Sequence, residues 1–217
     1  MGFARVLMAS TLVGACATAQ AGVLASSTFD SGTDGWLTMN GAVDLTWVAS
    51  GGESGGYVMA TDSVFGRTLW VWSAPESFLG DKSSAVGGTL SFYQRASNVT
   101  RGGNDAADVK IIGNGITLAI DAGPSPGLDW TPYSLTLTPG AWHLGDLSGA
   151  LASAADIQDA LSNVSALYIR GDFTPLIRGA SSGLDSVVLA SPVPEPGTAA
   201  LCLAGLLVGG SLMRRRR

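Results

Sequence analysis

Short runs of alternating apolar and polar residues recur along residues 22–193, and clusters of Gly, Ser, Asn and Pro separate them about every ten residues. Alternation with a period of two places apolar side chains on one face of a strand. Asn114-Gly115 predicts a hairpin turn, because both residues tolerate positive φ. The pattern predicts eleven strands, at 24–29, 35–39, 45–48, 57–61, 68–73, 89–95, 107–112, 116–120, 133–138, 166–170 and 186–189.

One segment departs from this period. Ser153, followed by Asp156 three residues later, predicts a capped helix start. Four apolar residues after it share one face at helical spacing, namely Ile157, Ala160, Leu161 and Val164. Many short strands with a single helix predict an all-β fold, a jelly-roll-like antiparallel β-sandwich with one short helix.

The C-terminal residues follow a third pattern. An apolar run at 198–213 follows Val193-Pro194-Glu195-Pro196 and precedes Arg214, Arg215, Arg216 and Arg217. As a helix the run reaches about 24 Å, short of the ~30 Å hydrocarbon layer, so it spans only with local thinning and arginine snorkelling. The arginines indicate a cytoplasmic end. We predict a transmembrane helix at 198–213 with the preceding domain across the membrane.

These three features, in this order over residues 193–217, resemble the PEP-CTERM sorting signal of Gram-negative bacteria. In that family an exosortase, a membrane-embedded cysteine peptidase, cuts at or near the motif and releases the protein toward the exopolysaccharide matrix. The resemblance implies an exosortase substrate that is transiently anchored in the inner membrane, with its domain in the periplasm, and then reaches the cell surface or biofilm matrix. The alternative is an ordinary membrane anchor, which has no need of Pro194, Glu195 and Pro196.

The N-terminal residues predict export as well. Arg5 precedes an apolar stretch at 6–17, and Ala19 and Ala21 are the small residues that signal peptidase accepts. We predict a signal peptide at 1–21, a single domain at 22–192 and the sorting signal at 193–217. In an alternative reading, residues 13–16 form a lipoprotein box in which Cys16 is acylated, although Gly14 fits that box poorly.

Charge and cysteine content exclude several functions. Cys16 and Cys202 are the two cysteines, and both lie in the terminal signals, so the domain has neither a disulfide nor a thiol for catalysis or zinc. Without the terminal signals the domain holds seven basic and sixteen acidic residues, a net charge of −9. This balance argues against nucleic acid as a partner.

A second resemblance covers nearly the whole domain. Eight blocks occur in order: FDSGTDGW at 29–36, GGYVMATD at 55–62, WSAPESFLGDKS at 72–83, GTLSF at 88–92, GNGITL at 113–118, WTPY at 130–133, LSNVSALYIRG at 161–171 and LDSV at 184–187. Together they resemble the laminin B (laminin IV type A) domain. The resemblance implies an extracellular, non-catalytic β-sandwich and brings no established ligand. The disulfide-rich repeats that flank this module in laminins are absent, so laminin-style assembly is not implied.

Catalytic chemistry finds little support in the residues. His143 is the single histidine, and no nucleophile motif accompanies it. Glycoside hydrolysis needs two carboxylates, but most acids here sit in turns such as Asp34, Asp44 and Asp146. We therefore predict a non-enzymatic binding or structural module that contacts extracellular polysaccharide or other matrix components. A secreted glycoside hydrolase or other polysaccharide-modifying enzyme is one alternative, and an adhesion module for protein partners is another.

Tryptophans are candidates for sugar binding, because pyranose rings stack on flat aromatic faces. Trp130 and Trp142 lie beside Pro132 and Gly140 and are predicted to stack on sugars. Trp70 and Trp72 are two residues apart on one strand, which makes them either core residues or a shared platform.

Asp30 and Asp185 are the candidate metal ligands. Jelly-roll carbohydrate-binding modules, which the predicted sandwich resembles, often join their first and last strands through calcium held by an early and a late carboxylate. Here Asp30 follows Phe29 and Asp185 precedes Ser186-Val187. Carboxylate and backbone oxygens are the ligands that calcium prefers. The sequence predicts a structural calcium at these two residues and no other cofactor.

Overall fold

The computed structural model describes residues 20–63, 69–98, 106–173 and 179–193. Residues Ala21–Val193 form one compact unit. The signal peptide through residue 19, the sorting motif from Pro194 and the helix at 198–213 lie outside the described residues, so the boundaries at 22 and 192 stay predictions. Within the described ranges, no helix has both the length and the apolar character needed to cross a bilayer.

Two antiparallel sheets contain the twelve strands found in the described residues. Sheet A runs β3-β4-β12-β6-β9, with β1 also paired to β12. Its strands are β1 (Val23–Ser27), β3 (Ala42–Val48), β4 (Tyr57–Asp62), β6 (Thr89–Ala96), β9 (Thr131–Thr136) and β12 (Ser181–Ala190). Sheet B runs β10-β8-β7-β11-β5-β2. Its strands are β2 (Leu37–Met39), β5 (Val71–Ser73), β7 (Val109–Gly113), β8 (Ile116–Ile120), β10 (His143–Leu144) and β11 (Val164–Arg170).

The predicted all-β sandwich with one short helix is confirmed, and every predicted strand overlaps an observed one. The hairpin turn is also present, since Asn114 and Gly115 have φ of 47° and 77° between β7 and β8. Apart from shifts of one to three residues at strand ends, two strands differ from the prediction. The two-residue strand β10 is too short to show a period. Strand β12 begins at Ser181 because backbone pairing with its neighbours overrides the turn-like sequence Ser181-Ser182-Gly183.

Helix α1 (Ala154–Ser162) begins as the sequence predicts. The Ser153 hydroxyl accepts from the Asp156 backbone N–H, and the Asp156 carboxylate accepts from the Ser153 backbone N–H at 2.8 Å. Ile157, Ala160 and Leu161 are buried against the sandwich. The prediction that Val164 shares this helical face is wrong. The helix ends at Ser162, and Val164 begins strand β11, where it is buried.

The core lies between the sheets and is rich in large aromatic residues. Trp36, Trp72 and Phe92 are each at most 1% exposed. Trp70 and Trp72 are both core residues, and their rings meet edge to face with centroids 5.0 Å apart. Alternation along the strands therefore leaves a second set of side chains on the outer face of each sheet, where they are accessible to ligands.

Candidate functional site

A groove of about 490 Å³ lies on the outer face of sheet B. Strands β5, β7 and β11 supply its floor through the residues that alternate with the core positions. These floor residues are Val71, Lys110, Ile112, Tyr168 and Arg170. Met39 and Asn40 lie at the end of β2, and Thr117 lies on β8. The groove combines apolar walls with a few polar groups, which is the usual composition of a ligand site.

Tyr168 and Lys110 form a direct cross-strand pair in the middle of this groove. Both side chains are half-buried. Within the described part of the chain, the Lys110 ammonium makes no hydrogen bond or ion pair, although its charge helps to lower the pKa of Asp146. The pair therefore presents an aromatic ring beside a cationic donor, a combination that fits a polyhydroxylated ring.

Asp108 and Arg170 form a buried ion pair at one end of the groove. The Asp108 Oδ1 atom lies 3.4 Å from Arg170 Nη1, and Asp108 Oδ2 accepts from the Ala122 backbone N–H at 3.0 Å. The Arg170 guanidinium also lies 4.9 Å from the centre of the Phe173 ring. Burial raises the pKa of Asp108 to about 6, because desolvation outweighs the Ala122 hydrogen bond and the Arg170 charge.

The arrangement of acids bears on hydrolysis. Asp108 is the one carboxylate among the described residues that line the groove. Hydrolysis of a glycosidic bond requires two carboxyl groups roughly 5 to 9 Å apart. The described lining therefore supplies one of the two groups that a glycoside hydrolase needs.

His143 and Asp146 have structural roles. His143 lies on β10, and its Nδ1 atom is 2.9 Å from the Gly149 carbonyl oxygen, so Nδ1 carries the proton and donates. The Asp146 carboxylate accepts from the backbone N–H and hydroxyl of Ser148. These hydrogen bonds hold the pKa of Asp146 below its usual range. Both residues stabilise the turn that follows β10, which agrees with the turn predicted at Asp146.

Two tryptophans were predicted to stack on sugars, and the prediction for Trp142 is wrong. It is fully buried in the core, and its Nε1 donates to the Thr136 carbonyl at 2.8 Å, so no ring face is exposed. Trp130 is half-buried and donates to the Gly51 carbonyl at 3.0 Å. Sugar stacking on Trp130 stays a prediction. Tyr168 was not predicted as a site residue, although alternation in the predicted strand 166–170 places it on the face opposite to the buried Leu167 and Ile169.

Asp30 and Asp185 lie against the same glycine-rich loop, residues 51–56. Asp185 is fully buried, and its Oδ2 atom accepts from the Ser54 backbone N–H at 3.2 Å. A Cβ placed on Gly52 would stand 2.5 Å from Asp185 Oδ2, 2.5 Å from the Gly56 carbonyl oxygen and 3.1 Å from that of Gly55. Asp30 Oδ1 lies 2.9 Å from the equivalent position on Gly55. Oxygen atoms of two carboxylates and two carbonyls thus line this loop.

Within the described ranges, no group of three or more His, Cys, Asp or Glu side chains is placed to hold a metal ion. The oxygen-lined loop nevertheless suits calcium, which accepts backbone carbonyls and water beside one or two carboxylates. The residues present therefore fit the predicted ion in ligand chemistry. The calcium at Asp30 and Asp185 stays a prediction.

Comparison with known proteins assigns the chain to a family. Residues 71–202 match Laminin B (Domain IV), and residues 192–217 match the PEP-CTERM protein-sorting motif. The chain belongs to the laminin B family and carries a PEP-CTERM motif, which confirms both resemblances seen in the sequence. This motif marks an exported protein that is processed by an exosortase.

One curated relative and two solved structures extend this result. The basement membrane-specific heparan sulfate proteoglycan core protein of Mus musculus is 29% identical over 140 residues, which are 63% of this chain and 4% of that protein. The L4b domain of human laminin alpha-2 has a TM-score of 0.52 at 18% identity, covering 70% of this chain and all of that domain. The family 11 carbohydrate-binding module of a Clostridium thermocellum cellulase has a TM-score of 0.50 at 14% identity, covering 82% and 99%.

Replacing Asp108 with Asn is expected to remove a pH dependence from the free energy of unfolding. The folded protein holds the Asp108 proton with a pKa of about 6. In the unfolded chain the pKa is near 4, so the folded state binds more protons between about pH 4 and 6 and stability falls as pH rises through this window. The fall should reach about 2 to 3 kcal/mol. Urea unfolding at pH 4.5 and 7 measures it, and a constant difference between wild type and D108N would contradict it.

Proposed function

We propose that this chain is an exported, non-enzymatic surface or matrix protein whose laminin B sandwich binds extracellular polysaccharide in the groove on sheet B. The observation that carries the proposal is the half-buried pair of Tyr168 and Lys110 in a groove of about 490 Å³. A pyranose ring has an apolar face that suits Tyr168, and its hydroxyl groups accept from the Lys110 ammonium. Thr117 and Asn40 add polar groups at the groove's edges.

Other features support binding over catalysis. The single described acid of the groove, Asp108, is engaged by Arg170 and the Ala122 N–H, and the described lining holds no second carboxylate to pair with it for hydrolysis. The sandwich shares its fold with a carbohydrate-binding module, an analogy that supports the ligand class by architecture alone.

The protein-adhesion alternative rests on strand β2. This strand is at the edge of sheet B among the described strands, and Leu37 and Met39 on it are 61% and 44% exposed. An exposed apolar edge strand can pair with a strand of another protein. The groove favours polysaccharide because its polar groups converge beside an aromatic ring.

The proposed module also holds a structural calcium at the loop of residues 51–56. Asp185, Asp30 and the carbonyls of Gly55 and Gly56 would hold it. The ion would offset the buried charge of Asp185, whose described hydrogen-bond donors are all neutral. It would also join the residues after β1 to the centre of β12.

We propose that export includes two processing steps, first at the N-terminus and then at the C-terminus. Signal peptidase reads Ala19 and Ala21, and the chain then remains in the inner membrane through residues 198–213 with its domain outside. An exosortase acts at Val193-Pro194-Glu195-Pro196 and frees the domain, while Arg214 to Arg217 stay cytoplasmic. The match of residues 192–217 to the sorting motif supports this route.

Replacing Tyr168 with Ala should weaken polysaccharide binding about three- to ten-fold, because the aromatic stacking surface is lost. Tyr168→Phe keeps the ring and should retain most of the affinity. Tyr93→Ala is the matched control, since Tyr93 is a half-buried tyrosine on the outer face of sheet A. Affinity electrophoresis against neutral glycans measures the effect. If wild type and Y168A are retarded equally by every glycan that binds the wild type, the groove is not the binding site.

Removal of calcium should lower the melting temperature by several degrees, because the ion binds only the folded loop. Asp30→Asn should abolish this response to a chelator, whereas Glu76→Gln alters an exposed acid elsewhere and should retain it. Thermal melts with excess calcium and with chelator provide the measurement. Identical melts of the wild type under both conditions would rule out a structural calcium.

Replacing Pro194, Glu195 and Pro196 with alanines should trap the uncleaved protein in the membrane fraction of the native host. Apolar length and the terminal arginines remain, so anchoring persists while recognition by the peptidase is lost. Immunoblots of membrane and matrix fractions detect the product. Normal release of this variant into the matrix would show that the motif is not read.

A further inference from the structure

The outer face of sheet A carries an arginine packed against two aromatic rings, Tyr57 and Trp130, which themselves meet edge to face with centroids 5.2 Å apart. The Arg95 guanidinium lies 4.6 Å from the centre of the Tyr57 ring and 4.9 Å from that of the Trp130 ring. Its Nη2 atom donates to the Tyr57 hydroxyl at 2.5 Å. Leu90 and Phe92 of the same strand face the core, so alternation along β6 directs Arg95 outward. Stacking of this kind fixes the plane of a guanidinium.

Arg95 has no carboxylate partner among the residues that the structure describes. This is unexpected in a domain with sixteen acidic and seven basic residues. A guanidinium has five N–H donors, and the Tyr57 hydroxyl is the one acceptor that Arg95 contacts in the described residues. The remaining donors have no acceptor among the described residues.

Arg95 is one of the residues that line a pocket of about 160 Å³. Met59 and Leu128 form its apolar side, and Ser97 and Ser181 lie on its polar side. Gly183 completes the lining, and a Cβ there would approach Trp130 Cη2 to 3.0 Å and Arg95 Cγ to 3.3 Å. The glycine thus allows the aromatic and guanidinium stack to lie close against β12. The pocket is smaller than the roughly 300 Å³ of a drug-sized site, so it suits a single ring or functional group.

We infer that this pocket binds the carboxylate of a uronic-acid residue in an acidic polysaccharide. The planar fork of Arg95 matches a carboxylate through two parallel hydrogen bonds. Leu128 and Met59 provide apolar contact for the sugar ring, and the two serines provide partners for its hydroxyl groups. The net charge of −9 opposes long-range attraction of an acidic chain, but salt screens exposed charges more than about 8 Å apart, so the local contacts of Arg95 decide binding.

The pocket is separate from the groove proposed for polysaccharide binding. The groove lies on the outer face of sheet B, and Arg95 lies on the outer face of sheet A. With one ligand site on each outer face, a single domain would bind two polysaccharide chains at once. The Arg95 site stands on its own geometry and does not depend on the groove.

The experiment titrates the full-length protein, kept in solution with detergent, with a galacturonic-acid trimer. Binding is expected, and Leu128→Glu should weaken it at least ten-fold, because it places a like charge at the pocket without altering the core. Leu151→Glu is the matched control. Leu128 and Leu151 are 59% and 56% exposed, and Leu151 is not among the residues that line the pocket. Equal affinities of L128E and L151E would overturn the inference.

Substitutions of Arg95 test the recognition itself. Arg95→Gln should reduce the affinity at least about ten-fold, and Arg95→Lys should recover only part of it, because lysine keeps the charge but loses the fork. Lys82→Gln removes one positive charge beside α1 and should leave the affinity unchanged. Thermal melts of each variant establish that it is folded.

Two further ligands separate the alternatives. A neutral glucan oligomer should not respond to Leu128→Glu, and Tyr168→Ala should not change binding of the galacturonate trimer, so failure of the groove and failure of this pocket are distinguishable. Poly-glutamate that binds as tightly as the trimer, with the same response to Leu128→Glu, would assign the pocket to protein carboxylates and overturn the sugar ligand. Absence of trimer binding to the wild type would also overturn it.

Discussion

Pairing along β12 is the constraint on which the rest of the sandwich depends. One edge of this strand pairs with β4 through Ser181–Leu184 and with β1 through Val187–Ala190, while the other edge pairs with β6 on both sides of a bulge. The bulge lies between Asp185 and Val188 and holds Ser186 at a φ of 50°. A non-glycine residue in this region costs roughly 1–2 kcal/mol. The hydrogen bonds of three neighbouring strands offset that cost.

The residue beside this bulge is a carboxylate on the outer face of sheet A, because Asp185 alternates with the core residue Leu184 and pairs with Tyr93. Asp185 is fully buried, and it accepts from the backbone N–H groups of Ser54 and Ser186. It therefore joins β12 to the loop of residues 51–56, whose Gly51 carbonyl accepts from Trp130. Trp130 in turn contacts Tyr57 and Arg95. A strand irregularity in sheet A is thus connected through one loop to the aromatic and guanidinium stack on its outer face.

The outer faces of the two sheets differ in the neighbours of their basic side chains. In the groove on sheet B, Arg170 is buried beside Asp108 and Lys110 extends beside Tyr168. On sheet A, aromatic rings rather than acids surround Arg95. Most of the sixteen acids lie elsewhere, and several, such as Asp146 and Asp156, cap turns or a helix end. Arg95 and Lys110 have no ion-pair partner among the described residues, and several acids are instead held locally by backbone N–H groups and hydroxyls.

The sequence by itself determined the features that depend on local chemistry. These are the strands from their period of two, the turn at Asn114, the helix start at Ser153 and the C-terminal sorting motif. Strand starts, burial and side-chain neighbours depend on distant residues, and they follow from the tertiary structure instead. Strand β12 forms at Ser181 because β4 and β6 pair with it, Trp142 is buried because the turn before β10 packs against β9, and Tyr168 faces a groove because β7 places Lys110 beside it. Burial and cross-strand neighbours follow from contacts between residues far apart in the chain, and a local pattern carries no record of them.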